Sequence, residues 1–188
     1  MKSITPVVAA LMPNLGIGYK GKLPWRLSKE IINFKNITCK AADNKRNAVI
    51  MGRKTWESIP KKFKPLPDRL NIVLTRTITE EHTNTDDLIY LNDFNKISSV
   101  IDDSIDKVFL IGGSELYNHL FKSNVIDSII LTELHTENSV EIDTFLDWDL
   151  TDWVQKSHED LLAFAGIDLE PEYNEKGYTY KYSLYQRQ

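Results

Sequence analysis

The chain has 188 residues, 23 basic and 27 acidic side chains and a net charge of −4. No basic stripe is interleaved with aromatics, which excludes a nucleic-acid binder. A chain of this length buries roughly 70% of its surface around one core, so residues 1–188 are read as a single domain. The lone Cys39 cannot make an internal disulfide, which fits a reducing, cytoplasmic setting. His82, His119, His135 and His158 have no pair at ligand spacing, so no metal site is expected.

The first strand is expected at Thr5 to Met12. Its apolar run from Val7 is bracketed by Pro6 and Pro13 and is too short for a signal peptide or membrane span. Gly16-Ile17-Gly18-Tyr19-Lys20-Gly21 then spells G-x-G-x-x-G, but a dinucleotide fingerprint needs its last glycine to open a helix at once. Lys22-Leu23-Pro24 intervenes, so the glycines read as a flexible loop, a lid or an ordinary turn. Pro24 suits the first turn of a helix predicted over Trp25 to Thr38.

Strands are predicted at Asn47 to Met51, Leu70 to Leu74, Leu88 to Leu91, Lys107 to Ile111 and Ile126 to Leu134. Helices are predicted at Lys54 to Ser58, at Phe94 to Asp102 after an Asp93 cap, and at Glu115 to Phe121 after Ser114. The acidic stretch His158 to Lys176, with Pro171, reads as a long excursion. Tyr178, Tyr180, Tyr182 and Leu184 alternate with polar residues, predicting a last, antiparallel strand near an edge. The expected fold is α/β: a mixed, mostly parallel sheet of about eight strands with about four flanking helices.

Within the first helix, at roughly 100° per residue, Leu27, Ile31, Phe34 and Ile37 fall in one arc, while Lys29, Asn33 and Asn36 point elsewhere. Glu30 lies inside the apolar arc. A buried carboxylate must be paired, protonated or bound to something; the plain alternative is an edge residue paired with a lysine.

Six of the eight glycines fall in three places that each follow a strand: Gly16, Gly18 and Gly21; Gly52; Gly112 and Gly113. Val108 to Ile111 ends in Gly112-Gly113 at the mouth of a helix, where free backbone N–H groups and the helix terminus suit a pyrophosphate; a tight turn is the alternative. Gly52-Arg53-Lys54-Thr55 adds cations at a helix start, which oppose the helix dipole unless an anion is present. Leu74-Thr75-Arg76 supplies a hydroxyl and a guanidinium at a third strand end. Ligands of open α/β sheets bind outside the carboxyl ends of strands. Together these ends suggest a dinucleotide with an extra phosphate, hence NADPH over NADH. No G-x-S-x-G elbow occurs, and Gly113-Ser114-Glu115 comes nearest to one.

Val8-Ala9-Ala10, Gly16-Ile17-Gly18 through Leu23-Pro24-Trp25, the Glu30 helix with Phe34, Met51-Gly52-Arg53-Lys54-Thr55-Trp56-Glu57-Ser58-Ile59-Pro60, Leu66-Pro67-Asp68-Arg69, Ile111-Gly112-Gly113 and Asp143-Thr144-Phe145 resemble, in order, dihydrofolate reductase, most like its fungal members. The likeness thins at Thr77 to Asp106 and at His158 to Lys176, where nothing is carried over. Leu23 stands where many members have Met, a swap that conserves volume.

The resemblance implies NADPH-dependent reduction of 7,8-dihydrofolate to tetrahydrofolate for one-carbon metabolism, sensitivity to antifolates and, with no oligomerisation motif evident, a monomer. It implies that Glu30 accepts hydrogen bonds from the 2-amino group and N3 of the pterin, with Thr132 steadying the carboxylate. Water near Glu30 and Trp25 would protonate N5, and Leu23 would line the lid beside the nicotinamide. Val8, Ala9, Ile31, Phe34, Ser58, Ile59, Phe63, Leu66, Ile111 and Tyr117 would bound the substrate, each apolar one having core packing as its alternative. Arg69 would clasp the glutamate α-carboxylate, or else pair with Asp68. Ala9, Ala10, Gly16, Ile17, Gly18, Gly21, Lys22, Gly52, Arg53, Lys54, Thr55, Leu74, Thr75, Arg76, Ile111, Gly112, Gly113, Ser114, Glu115, Leu116 and Tyr117 would hold the cofactor. A reductase of the same fold acting on a pyrimidine would not need Glu30 or Arg69, and a non-catalytic nucleotide-binding module would have no use for Trp25, Glu30 and Thr132.

Overall fold

Runs that are apolar throughout form the inner strands, because both faces of the sheet are covered. A computed structural model describes residues 2–188. Its elements are β1 (Ile4–Leu11), β2 (Gly16–Gly18), α1 (Ser28–Cys39), β3 (Arg46–Gly52), α2 (Arg53–Ser58), β4 (Arg69–Leu74), β5 (Leu88–Leu91), α3 (Ile97–Val100), β6 (Ile105–Leu110), α4 (Ser114–Phe121), β7 (Ser128–Thr136), β8 (Thr144–Phe145), β9 (Trp153–Gln155), α5 (His158–Ala165), β10 (Tyr173–Glu175) and β11 (Tyr178–Arg187). Eight strands form the main sheet in the order β10-β11-β7-β1-β6-β3-β4-β5, with β2, β8 and β9 attached at its side. From β7 to β5 every neighbouring pair is parallel, and β10 and β11 are antiparallel. The expected α/β fold with a mixed, mostly parallel sheet is thus the observed one.

Alternate residues of each strand feed two cores. Val7, Val49, Phe109 and Ile130 pack with Leu27 and Ile37 of the α1 segment and Leu161 of α5. Val8, Ala48, Leu110 and Leu131 pack with Tyr117, Leu120 and Phe121 of α4 and Ile97 of α3. The sheet therefore carries α1 on one face and α4 on the other, and both helices enter from the carboxyl-end side of the central strands.

Several expectations are corrected. The first helix starts at Ser28, not Trp25, because Trp25 is buried edge-to-face against Tyr178, ring centroids 6.2 Å apart, and Leu27 stays extended. The glycine segment is not a free loop: β2 pairs with β1 and β8, Asp143 Oδ2 accepts the Lys20 N–H at 2.9 Å, and a Cβ at Gly16 would sit 2.8 Å from Ile142. Gly113, not Ser114, occupies the cap position of α4. The helix expected over Phe94 to Asp102 is a 3₁₀ turn, Phe94–Lys96, running into the four-residue α3, with the Asp93 side chain capping as expected. The excursion over 158–176 contains α5 and β10, so the described residues hold five α-helices where about four were expected. Ser157 caps α5 through the Asp160 N–H, and Gly166 ends it in the left-handed region at φ 71°. The last strand is antiparallel and near an edge as expected, with β10 alone outside β11.

Candidate active site

Glu30 is the third residue of α1 and is half-buried. Burial, and secondarily the negative charge of Glu175, push its carboxyl up to about 7 from an ordinary 4.5. Near neutrality it is therefore a carboxyl that exchanges its proton. Tyr117 of α4, whose hydroxyl donates to the Val7 carbonyl at 3.0 Å, feels Glu30 and is raised by burial and by that charge. Tyr182 of β11 is raised for the same two reasons. Thr132 of β7 lies between Ala9 of β1 and Tyr182 of β11, at 1% exposure. The buried Trp25 Nε1–H and Tyr182 hydroxyl find no partner among the described residues. Donors so placed suit a polar ligand or water.

The apolar stripe around Glu30 is rotated from expectation. Asn33 is buried and Ile31 is 48% exposed, the reverse of what periodicity suggests. Leu27 and Ile37 enter the core and the half-buried Phe34 packs against it, whereas Ile31 lies on the open side of α1. Leu23 and Phe63 are exposed at 62% and 53%, Ser58 turns back to the Thr55 carbonyl at 2.6 Å, and Ile59, Leu66 and Ile111 are half-buried. Val8 and Ala10 direct their side chains into the α4-side core, so only Ala9 of that trio packs on the α1 face. Arg69 does not pair with Asp68. It is 3% exposed; Nε donates to the Pro67 carbonyl and Nη1 to Thr38 Oγ1, both at 2.9 Å. Three of its five N–H donors remain for a carboxylate.

Along the strand ends runs a cavity of about 970 Å³. It gathers Gly52, Arg53, Lys54, Thr55, Leu74, Thr75, Arg76, Gly113, Ser114, Glu115 and Leu116, all expected at the cofactor site. Ala9, Ala10, Gly16, Ile17, Gly18, Gly21, Lys22, Ile111, Gly112 and Tyr117 do not line it. Gly112 supports it instead: it is buried at φ 139°, and its carbonyl accepts the Gly52 N–H at 3.0 Å. Arg53 is bound to Glu57 at 2.9 Å, while Arg76 lies 4.0 Å from Glu115, both side chains more than nine-tenths exposed. So exposed a pair contributes little and leaves Arg76 free for another anion.

The family model described as "Dihydrofolate reductase" matches residues 4–185. The chain belongs to the dihydrofolate reductase family. It is 45% identical to the dihydrofolate reductase of Candida albicans, over 98% of this chain and 97% of that protein. Against the dihydrofolate reductase of Saccharomyces cerevisiae the identity is 33%, over 98% and 96%. Schistosoma mansoni dihydrofolate reductase superposes with a TM-score of 0.79 at 32% identity, covering 100% of this chain and 99% of that one. For a dihydrofolate reductase, sequence reasoning missed Thr77, His82, Asn92, Asp93, Phe94 and His119 in the cavity wall. The signal was present: β5 is a fourth parallel strand end, and Asn92-Asp93 follows it directly.

Proposed function

We propose that the chain reduces 7,8-dihydrofolate to 5,6,7,8-tetrahydrofolate, taking hydride from NADPH to C6 and a proton to N5. The observation that carries this reading is Glu30, a half-buried carboxyl on α1 with an affinity for protons matched to neutral pH, in a chain whose strand ends also frame a cofactor-sized cavity. The cavity fits a phosphorylated dinucleotide: the Gly113–Ser114 start of α4 opens on it, Thr75 and Arg76 stand at one end, and Lys54 is unpaired among the described residues. NADPH bound there supplies the hydride. Glu30 orients the pterin through its 2-amino group and N3, and Thr132 steadies the carboxyl. Glu30, with the buried and unpartnered Trp25 N–H, holds the water that delivers the proton to N5. Ile31, Phe34, Ile59, Phe63 and Leu66 exclude solvent around the pterin and benzoyl rings, and Arg69 receives the glutamate α-carboxylate on its free N–H groups.

Purified protein is expected to oxidise NADPH only when dihydrofolate is added. Binding of NADPH without binding or reduction of dihydrofolate would reduce the chain to a nucleotide-binding module. Arg76→Ala is expected to weaken NADPH about tenfold or more while leaving NADH nearly unchanged, the loss of one charge-assisted contact to the extra phosphate. Equal weakening of both nucleotides, measured by fluorescence titration, would remove Arg76 from that role.

A further inference from the structure

Helix α1 begins without a side-chain cap of its own, because Leu27 occupies the cap position. The acceptor comes from 146 residues away: both carboxylate oxygens of Glu175 take the Lys29 N–H, at 3.3 and 3.4 Å, and one of them also accepts the Tyr180 hydroxyl at 3.0 Å. The first N–H groups of a helix are unpaired and electropositive. Glu175 occupies that favourable anion position, and Glu30, the next residue along the helix from Lys29, meets a field already neutralised.

The other groups bearing on Glu30 offer no compensating cation. The groups that feel its charge are Tyr117 of α4 and Tyr180 and Tyr182 of β11. Tyr173 of β10 stacks on Tyr180 at 5.3 Å. Lys29, on α1 itself, holds its Nζ 5.7 Å from the Tyr173 ring centre, and neither Glu30 nor Glu175 is in an ion pair among the described residues.

We propose that Glu175 is a positioning residue for the reduction: from the β10–β11 hairpin it docks the start of α1 and keeps the proton of the carboxyl pair on Glu30. This rests on the reductase reading. A like charge nearby disfavours ionisation of a carboxyl, and Glu175, held in place by the Lys29 N–H and the Tyr180 hydroxyl, is the charge that bears on Glu30. The upward displacement of Glu30, to which Glu175 contributes, agrees with this.

Glu175→Gln in the full-length chain keeps an oxygen for the Lys29 N–H and the Tyr180 hydroxyl and removes only the charge. Carbon-detected NMR of the side-chain carboxyls, with Glu30 assigned through Glu30→Gln, should show its titration midpoint falling by about one pH unit, roughly tenfold in proton affinity. The falling limb of kcat/KM against pH should move down equally. Tyr180→Phe, which leaves the carboxylate in place, should not lower the midpoint. An unchanged midpoint in folded Glu175→Gln, or an equal fall in Tyr180→Phe, overturns the proposal. If Glu175→Gln does not fold, Glu175→Asp decides: retracting the charge should lower the midpoint, and no change again overturns it. Because the NMR titration needs no turnover, a parent protein that fails to reduce dihydrofolate removes the reductase reading alone, whereas an active parent with an unmoved midpoint removes only the role of Glu175.

Discussion

Glu30→Gln is expected to lose about 10²- to 10⁴-fold in kcat/KM for dihydrofolate, the range of a positioned acid or base. In the parent protein kcat/KM reports the free enzyme, whose Glu30 titrates at about 7. The rate should therefore be level below that pH and fall above it as Glu30 ionises, and the variant should lack this limb. The same substitution should stabilise the ligand-free protein in alkali. Glu30 has its folded-state affinity raised from 4.5 to about 7, so the stability it contributes is full below about pH 4.5 and is lost as pH rises through 7. Parent and variant should unfold together near pH 4 and diverge by at most about 3 kcal/mol by pH 8, with the variant the more stable. Thermal melts across that range check the sign. A variant that loses stability and keeps its rate would return Glu30 to the edge residue paired with a lysine that its position in the stripe also allows.

What could be read along the chain was what local chemistry determines. Val108 to Ser114 showed its strand, tight turn and helix in successive residues, and β6 and α4 stand there. The signals for α5 were equally local, Ser157 with Asp160 and then Gly166, but the density of acidic residues obscured them. Glu175 was out of reach because its partner, the Lys29 N–H, is 146 residues away. Periodicity located an apolar arc on α1 without saying which side meets solvent. Asn33 therefore went to the wrong side, and Ile31 looked like core when it is open. Arg69 has the same cause: adjacency suggested Asp68, whereas the sheet register carries the guanidinium to Thr38 on α1.

Gly112→Ala is expected to weaken NADPH by about tenfold or more and to lower stability by roughly 1–3 kcal/mol, the usual cost of holding a side chain at such a backbone angle. The residue sits at φ 139°, and a Cβ there would lie 2.9 Å from Thr55 Oγ1 and 3.5 Å from Thr55 Cγ2. Its carbonyl binds the Gly52 N–H, so a shift would move the β3–α2 and β6–α4 turns together, and both border the cavity. Two causes are separable by a double-mutant cycle. Adding Thr55→Ala removes the contact but not the backbone strain, so it should recover part of the affinity lost by Gly112→Ala and none of what the dihedral costs. Dihydrofolate binding without cofactor, measured by quenching of tryptophan fluorescence, should change little, since Gly112 meets Thr55 and Gly52 rather than Glu30. If NADPH binds Gly112→Ala as tightly as the parent, the cavity between these turns is not where the pyrophosphate lies, and the assignment of Arg53, Thr55 and Ser114 to the cofactor falls with it.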